Sequence, residues 1–312
     1  MYPIKFEPIY FEKIWGGRGF GPFRKDLPQG NIGESWDVAC HPNGTSMIAN
    51  GAFKGLALDE VIKQEGNRIL GTRFDARSFP LLVKLINAMD TLSIQVHPDD
   101  AYAQEHEGEM GKTEAWYIIE AEEGAVLVVG TKDCTKEQFA QAIQQGNLES
   151  YLNVIPVKKG DFFFIQSGLV HAIGKGIVIA EIQQNSDTTY RVYDYNRGRE
   201  LQIEKALDVI DFHLMGKKSV DRFVEENSQY RKTVKCTCDK FIIEQYDVYT
   251  SCSEVSEQER FSIFTCTEGE GEIRYKEGTE MIRMGDSLLI PATLGSYTLV
   301  GEMKLLKTYI PL

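Results

Sequence analysis

The sequence predicts a mainly β protein, two jelly-roll barrels with short helical insertions, and three observations carry that prediction. Short apolar or alternating runs bounded by Gly, Pro and acidic turn residues recur from end to end of the 312 residues, as strands require. Only three stretches carry a helical apolar period. The third observation is an internal echo: Lys159-Gly-Asp-Phe-Phe-Phe-Ile-Gln-Ser-Gly-Leu169 aligns with Met284-Gly-Asp-Ser-Leu-Leu-Ile-Pro-Ala-Thr-Leu294 at a constant offset of 125 residues. A Gly-Asp turn, an apolar strand and a loop form the half-repeat of a double-stranded jelly roll, so the chain reads as a bicupin. Residues 1–219 are expected to form a metal-binding barrel with the helical insertions, and residues 220–312 a metal-free cupin-like barrel.

Taken in order, residues 2–10 are extended, and Trp15-Gly-Gly-Arg-Gly-Phe-Gly-Pro22 is a glycine-rich turn. It lacks the strand-before, helix-after context of a phosphate-cradling loop. Gly33-Glu-Ser-Trp-Asp-Val-Ala39 alternates as a strand, and Leu58 to Leu70 reads as a helix stopped by Gly71. Phe79-Pro-Leu-Leu-Val-Lys-Leu-Ile86 is a buried strand, followed by the alternating run Thr91 to Asp99. Strands are expected at 115–120, 125–129, 154–157, 162–165 and 176–182. A Thr135-capped helix ends at Gly146, and another is expected near residues 204–210. From Val220 onward the pattern is again β.

Composition excludes several classes. The net charge of −12 disfavours nucleic acid, and it obliges any anionic substrate to find a locally basic pocket. No segment approaches the ~20 apolar residues of a membrane span. The N-terminal residues have no export pattern, so the chain is expected in the cytoplasm, as a monomer or homodimer. Six scattered cysteines, of which only Cys236 and Cys238 are close, read as reduced thiols.

Candidate chemistry gathers in the first barrel. Gln95 and His97 sit two apart in an alternating run, which points both side chains to one face of a strand. Glu114 and His171 join them, while the 125-residue offset puts Ser296 where a second copy of His171 would stand. Two imidazoles, a carboxylate and a carboxamide suit one divalent first-row ion per chain, commonly zinc, with room for water or substrate. Of the other three histidines, His41 and His106 are expected in loops and His213 near the last helix.

Ser93-Ile-Gln-Val-His-Pro-Asp99, Gly111-Lys-Thr-Glu-Ala-Trp-Tyr117 and Gly168-Leu-Val-His-Ala-Ile-Gly174 resemble, in that order, the metal-site motifs of the type I mannose-6-phosphate isomerases. Gly33-Glu-Ser-Trp36 and Ser186-Asp-Thr-Thr-Tyr-Arg-Val-Tyr-Asp194 extend the likeness over roughly residues 10–200. The resemblance implies a zinc-dependent cupin enzyme interconverting mannose 6-phosphate and fructose 6-phosphate, in the short bacterial form without the large helical domain. It makes Gln95, His97, Glu114 and His171 the zinc ligands. Arg191 and Lys112 become the catalytic candidates, and Trp15, Glu34, Ser93 and Asp187 line the same cavity. Arg197 stands where many members have a lysine, so it is a candidate for holding the phosphate.

The chemistry agrees. Moving a carbonyl between C1 and C2 of a sugar needs a base for the C2 proton and stabilisation for an enediolate oxygen. A dication with nearby Arg and Lys supplies the second. For the base, Lys112 qualifies only if its pKa is depressed, and Asp187, Glu34 or a zinc-bound water stay open. Two other readings share the ligand set: a cupin oxygenase, whose non-haem iron also takes two His and a carboxylate, and a non-catalytic bicupin that binds a sugar phosphate. An oxygenase acting on an apolar substrate would not need Lys112, Arg191 and Arg197 in its pocket.

Overall fold

The computed structural model describes residues 1–74 and 79–312. Two antiparallel sheets form the N-terminal part. One runs, in spatial order, through strands Phe162–Ile165, Glu114–Ala121, Ile177–Gln184, Leu81–Ala88, Ile32–Val38 and Ile9–Gly17. The other runs through Leu152–Pro156, Val126–Thr131, His171–Ile173, Ile94–Val96 and Tyr190–Tyr193. Non-consecutive neighbours in both are what a jelly roll requires.

The central strands Leu81–Ala88 and Ile177–Gln184 are buried at every position, so neither face of their sheet meets water. Alternation sorts their side chains. Ile86, Trp116, Ile118 and Ile179 point inward and pack against Leu127, Val129 and Ile173 of the five-stranded sheet. Val83, Leu85, Ala115, Ile119 and Ile182 point outward. The outward set packs on Cys236, Phe241, Ile243, Ile263 and Leu306 of the C-terminal part. The second β unit therefore covers an apolar sheet face that would otherwise lie exposed.

That second unit is one ten-stranded antiparallel sheet with its own core around Tyr246, Phe264, Leu288 and Leu305. It also recruits strands from the start of the chain. Ile4 pairs with Leu289, and Phe6 with Ile48. Strands Ile4–Glu7 and Met47–Ile48, far upstream of residue 220, belong to the C-terminal sheet.

The helices follow their local signals. Thr135 caps Lys136–Gln145 in a capping box with Gln138, and Gly146 closes it in the left-handed region at φ +70°. The expected 58–70 helix is two pieces, Leu58–Glu65 and Asn67–Leu70, broken at Gly66. Ile203–Val209 is helical as expected. An additional helix, Asp100–His106, is capped by Asp99. It places His106 in a helical last turn rather than a loop, and His41 lies buried in the short strand Cys40–His41.

Candidate metal centre and active-site pocket

Alternation and register assemble the site. On the six-stranded sheet, Glu181 stands opposite both Lys84 and Trp116, Trp36 opposite Lys84, and Glu114 opposite Gln183. On the facing sheet, His171 stands opposite Gln95, and Gln95 opposite Arg191, so three strands present one row of polar side chains. His97 follows directly after its strand.

The donor atoms of His97, Glu114 and His171 lie within 4.8 Å of one another, all buried. His97 Nδ1 donates to the Thr188 carbonyl at 2.9 Å, and His171 Nδ1 to the Leu169 carbonyl at 2.8 Å. These outer bonds fix the tautomers and leave each Nε2 lone pair facing the centre. Burial, reinforced by Lys112, holds His97 well below the usual histidine range, and burial pushes His171 down to about 4. Both imidazoles are therefore neutral, the form that binds a metal. Glu114 Oε1 is buried without a hydrogen-bond partner. A neutral pair of inward nitrogens beside an orphaned carboxylate oxygen fits a divalent ion.

Gln95 flanks this set. Its Nε2 faces His171 Nε2 at 3.3 Å, and its Oε1 accepts from Ser93 Oγ at 3.1 Å. Rotating the carboxamide by half a turn brings its oxygen to the histidines and leaves Ser93 as acceptor, so the residue can serve as an oxygen ligand.

Lys112 Nζ donates to Glu114 Oε2 at 2.6 Å and lies 4.0 Å from Glu181. Burial opposes its charge, but the Glu114 and Glu181 carboxylates outweigh burial and hold it above the ordinary lysine range. The neighbours that would make Lys112 a base are thus the wrong sign. The segment is placed by Gly111, where a Cβ would stand 2.4 Å from the Asp99 carbonyl carbon.

A cavity of about 120 Å³ opens beside these groups. Trp15, Glu34, Ser93, Asp187 and Arg191 line it. Arg197 does not: it bonds Asp194 at 3.0 Å and the Thr91 carbonyl at 2.8 Å. Arg199 lines the cavity instead. Five cationic side chains face three carboxylates around it, so the pocket is locally basic in an acidic protein.

Four charged lining residues, Lys13, Lys84, Glu181 and Arg199, are not among the candidates the sequence offers. Lys84 lies 3.9 Å from both Glu34 and Glu181, 3.4 Å from Asp187 and 4.7 Å over the Trp36 ring. Burial would raise the Glu34 carboxyl, but Lys84 and Lys13 outweigh it and hold Glu34 down to about 2. At Glu181 burial, then the Glu114 charge, prevail over Lys112 and Lys84 and push the carboxyl up. The signal for Lys84 and Glu181 was a single charge inside an otherwise apolar strand run, which is rarely tolerated without a partner.

Residues 4–132 match the family model for the phosphomannose isomerase type I catalytic domain, and residues 231–310 the mannose-6-phosphate isomerase cupin domain. The chain is 38% identical to a mannose-6-phosphate isomerase of Bacillus subtilis, with 99% of each chain covered. It is 39% identical to the mannose-6-phosphate isomerase of Streptococcus mutans, covering 98% of each. The crystal structure of the mannose 6-phosphate isomerase from Bacillus subtilis superposes with a TM-score of 0.93 at 34% identity, over 99% of this chain and 100% of that one.

Proposed function

The chain belongs to the type I phosphomannose isomerase family and is a mannose-6-phosphate isomerase, and from that premise we propose how its pocket interconverts mannose 6-phosphate and fructose 6-phosphate. The observation that carries the reading is the convergence of His97, Glu114 and His171 within 4.8 Å on a cavity lined by Lys84, Arg191 and Arg199.

Gln95, His97, Glu114 and His171 would hold the ion, and two imidazoles with oxygen donors suit zinc. When bound it supplies a fixed positive charge that polarises the sugar's C1 and C2 oxygens. The protein's own residues do the rest. Glu181, a carboxyl pushed upward and aimed into the cavity, takes the C2 proton of the aldose as base, because a raised carboxyl pKa brings it nearer the working pH. The C2–H electrons form the C1–C2 double bond, and O1 gains the charge of an enediolate. Glu181 returns its proton to C1 while the O2 proton passes to O1, leaving a C2 carbonyl and a C1 hydroxyl, which is the ketose. Lys112 and Arg191 stay cationic and steady the developing oxyanion. Glu34, held near 2, is too weak a base and instead keeps Lys13 and Lys84 in place. Arg199 and Lys13, on the same cavity, receive the phosphate.

A coupled assay on mannose 6-phosphate tests this. Activity is expected to vanish with chelation and return with zinc, and turnover in deuterium oxide to place deuterium in the sugar. A chelated protein with full activity would sink the metal-assisted reading, and Glu181→Gln with unchanged kcat would remove Glu181 as the base.

A further inference from the structure

The strand Tyr230–Thr237 of the C-terminal sheet ends in a tight hairpin, Cys238-Asp-Lys-Phe241, closed by Cys238 N–H donating to the Phe241 carbonyl at 3.1 Å. Cys236 is buried in the core shared with the six-stranded sheet, and Cys238 packs on the same core but remains half-exposed. Two thiols two residues apart on an extended chain face the same way. Cys238 Sγ accepts from Phe241 N–H at 3.4 Å and donates to the Phe241 carbonyl at 3.3 Å. The neighbouring Cys236 thiol, ahead of burial, brings Cys238 down to about 7, and the Phe241 N–H lowers it further. Elsewhere burial drives the thiols the other way, Cys40 and Cys252 to about 11 and Cys266 to about 12.

The hairpin is also tied to the segment that carries Lys112. Lys240 Nζ bonds Asp100 at 2.7 Å. Asp100 Oδ1 accepts from Gly111 N–H at 2.9 Å and from Gln184 Nε2 at 2.8 Å, and Gln184 Oε1 accepts from Thr113 N–H at 3.0 Å. The segment so held carries Lys112 and leads into Glu114.

We propose that Cys236 and Cys238 form a redox-active dithiol that reacts with hydroperoxides, and that its oxidation loosens the strap by which the C-terminal sheet holds residues 99–113. The Cys238 thiolate attacks one peroxide oxygen; the O–O bond breaks, an S–O bond forms, and the other oxygen leaves as hydroxide or alkoxide and is protonated by water. Cys236 then attacks the Cys238 sulfenic sulfur. An S–S bond forms, the S–O bond breaks, and the Cys236 proton leaves with the hydroxyl as water. The two sulfurs together give up two electrons, which the peroxide accepts. Residues two apart on a strand sit roughly 6.6 Å apart at Cα, near the upper limit for a disulfide. Closure therefore bends the backbone around Thr237, takes Cys238 Sγ from the Phe241 amide, and shifts the neighbouring Lys240.

The test uses the full-length protein. With iodoacetamide at pH 7, Cys238 is expected to react roughly tenfold faster than Cys40 and Cys134, the other half-exposed thiols. Hydrogen peroxide should then yield a peptide spanning both residues that is lighter by two hydrogens, restored by dithiothreitol. Cys236→Ala should stop at a sulfenic acid trapped by dimedone, and Cys238→Ser should give neither product. In the oxidised protein, amide hydrogen exchange across residues 99–113 should rise and fall back on reduction. None of these readouts uses isomerase activity, so their failure is distinct from failure of the proposed function. Equal alkylation rates, or sulfinic acid at Cys238 beside a reduced Cys236, overturn the dithiol. A disulfide that leaves exchange at 99–113 unchanged overturns the strap.

Discussion

The two β units share strand pairings where a metal would sit but hang different side chains on them. In the first, Gln95 stands opposite His171 and Glu114 opposite Ile165. In the second, Val255 stands opposite Ser296 and Ser262 opposite Ile290. The 125-residue offset equates His171 with Ser296 and Ile165 with Ile290, so Val255, Ser262 and Ser296 occupy the places of Gln95, Glu114 and His171. Both units also carry a carboxylate between two lysines. Glu254 accepts from Lys232 and, at 3.0 Å, from Lys307, which stacks near Tyr246 and Phe264. Glu34 lies 2.8 Å from Lys13 and 3.9 Å from Lys84, but on a cavity. The sheet alone does not make a site. Chemistry enters where charges face a cavity, and the same kind of cluster closed on itself serves stability.

Removing the second unit tests that contrast most severely. Truncation after Gly216 uncovers the outward face of Val83, Leu85, Ala115, Ile119 and Ile182 and strips strand Ile4–Glu7 of its main partner. The fragment is expected to aggregate, and a soluble, fully active 1–216 protein would break the idea of a covering role.

At the ligands, His97→Ala should abolish metal content by elemental analysis and lower turnover by on the order of a thousandfold or more. Ser262→Ala and Ser296→Ala, at the equivalent places in the second unit, should change neither. Two ions per chain, or full metal in the His97 variant, would count against a centre confined to the first unit.

Arg191→Ala should cost ~3 kcal/mol in the barrier, about a hundredfold in kcat, with metal content and Tm near wild type. Lys307→Ala should do the reverse, lowering Tm while kcat holds, because Glu254 loses a buried partner. If Arg191→Ala raises KM alone, the residue binds phosphate rather than acting in the chemical step.

The smallest effect is a matter of pH. Glu34 titrates near 2 in the folded chain against an ordinary value of 4.5. The unfolded chain therefore binds more protons between those values, and the stabilisation, present above about 4.5, is lost as pH falls towards 2. Glu34→Gln should cost on the order of 2 kcal/mol at pH 7 by denaturant unfolding. The gap to wild type should close as the pH falls towards 2, and a gap independent of pH would place the cost in packing.

Local rules were enough for much of this protein. Period-2 alternation put Gln95 and His97 together, the Thr135 cap and Gly146 bounded a helix, and the Gly-Asp echo marked two strands, Phe162–Ile165 and Ser287–Ile290, that pair in the same way, because each depends on residues close in sequence or on a repeated short string. Lys112, Glu34, Ser93, Asp187 and Trp15 followed from motifs that are contiguous in the chain. What only the tertiary structure decided is long-range register. Lys84 and Glu181 face each other across adjacent strands about a hundred residues apart in sequence, a pairing that no window of the chain reveals. Arg197 and Arg199 are two residues apart with the same charge and both bond Asp194, but the Thr91 carbonyl also holds Arg197 while Arg199 reaches the cavity. The strand at Ile4 joined the distant sheet because an apolar segment pairs with whichever unfilled edge the finished fold presents to it, and that edge lies more than 280 residues away in the chain.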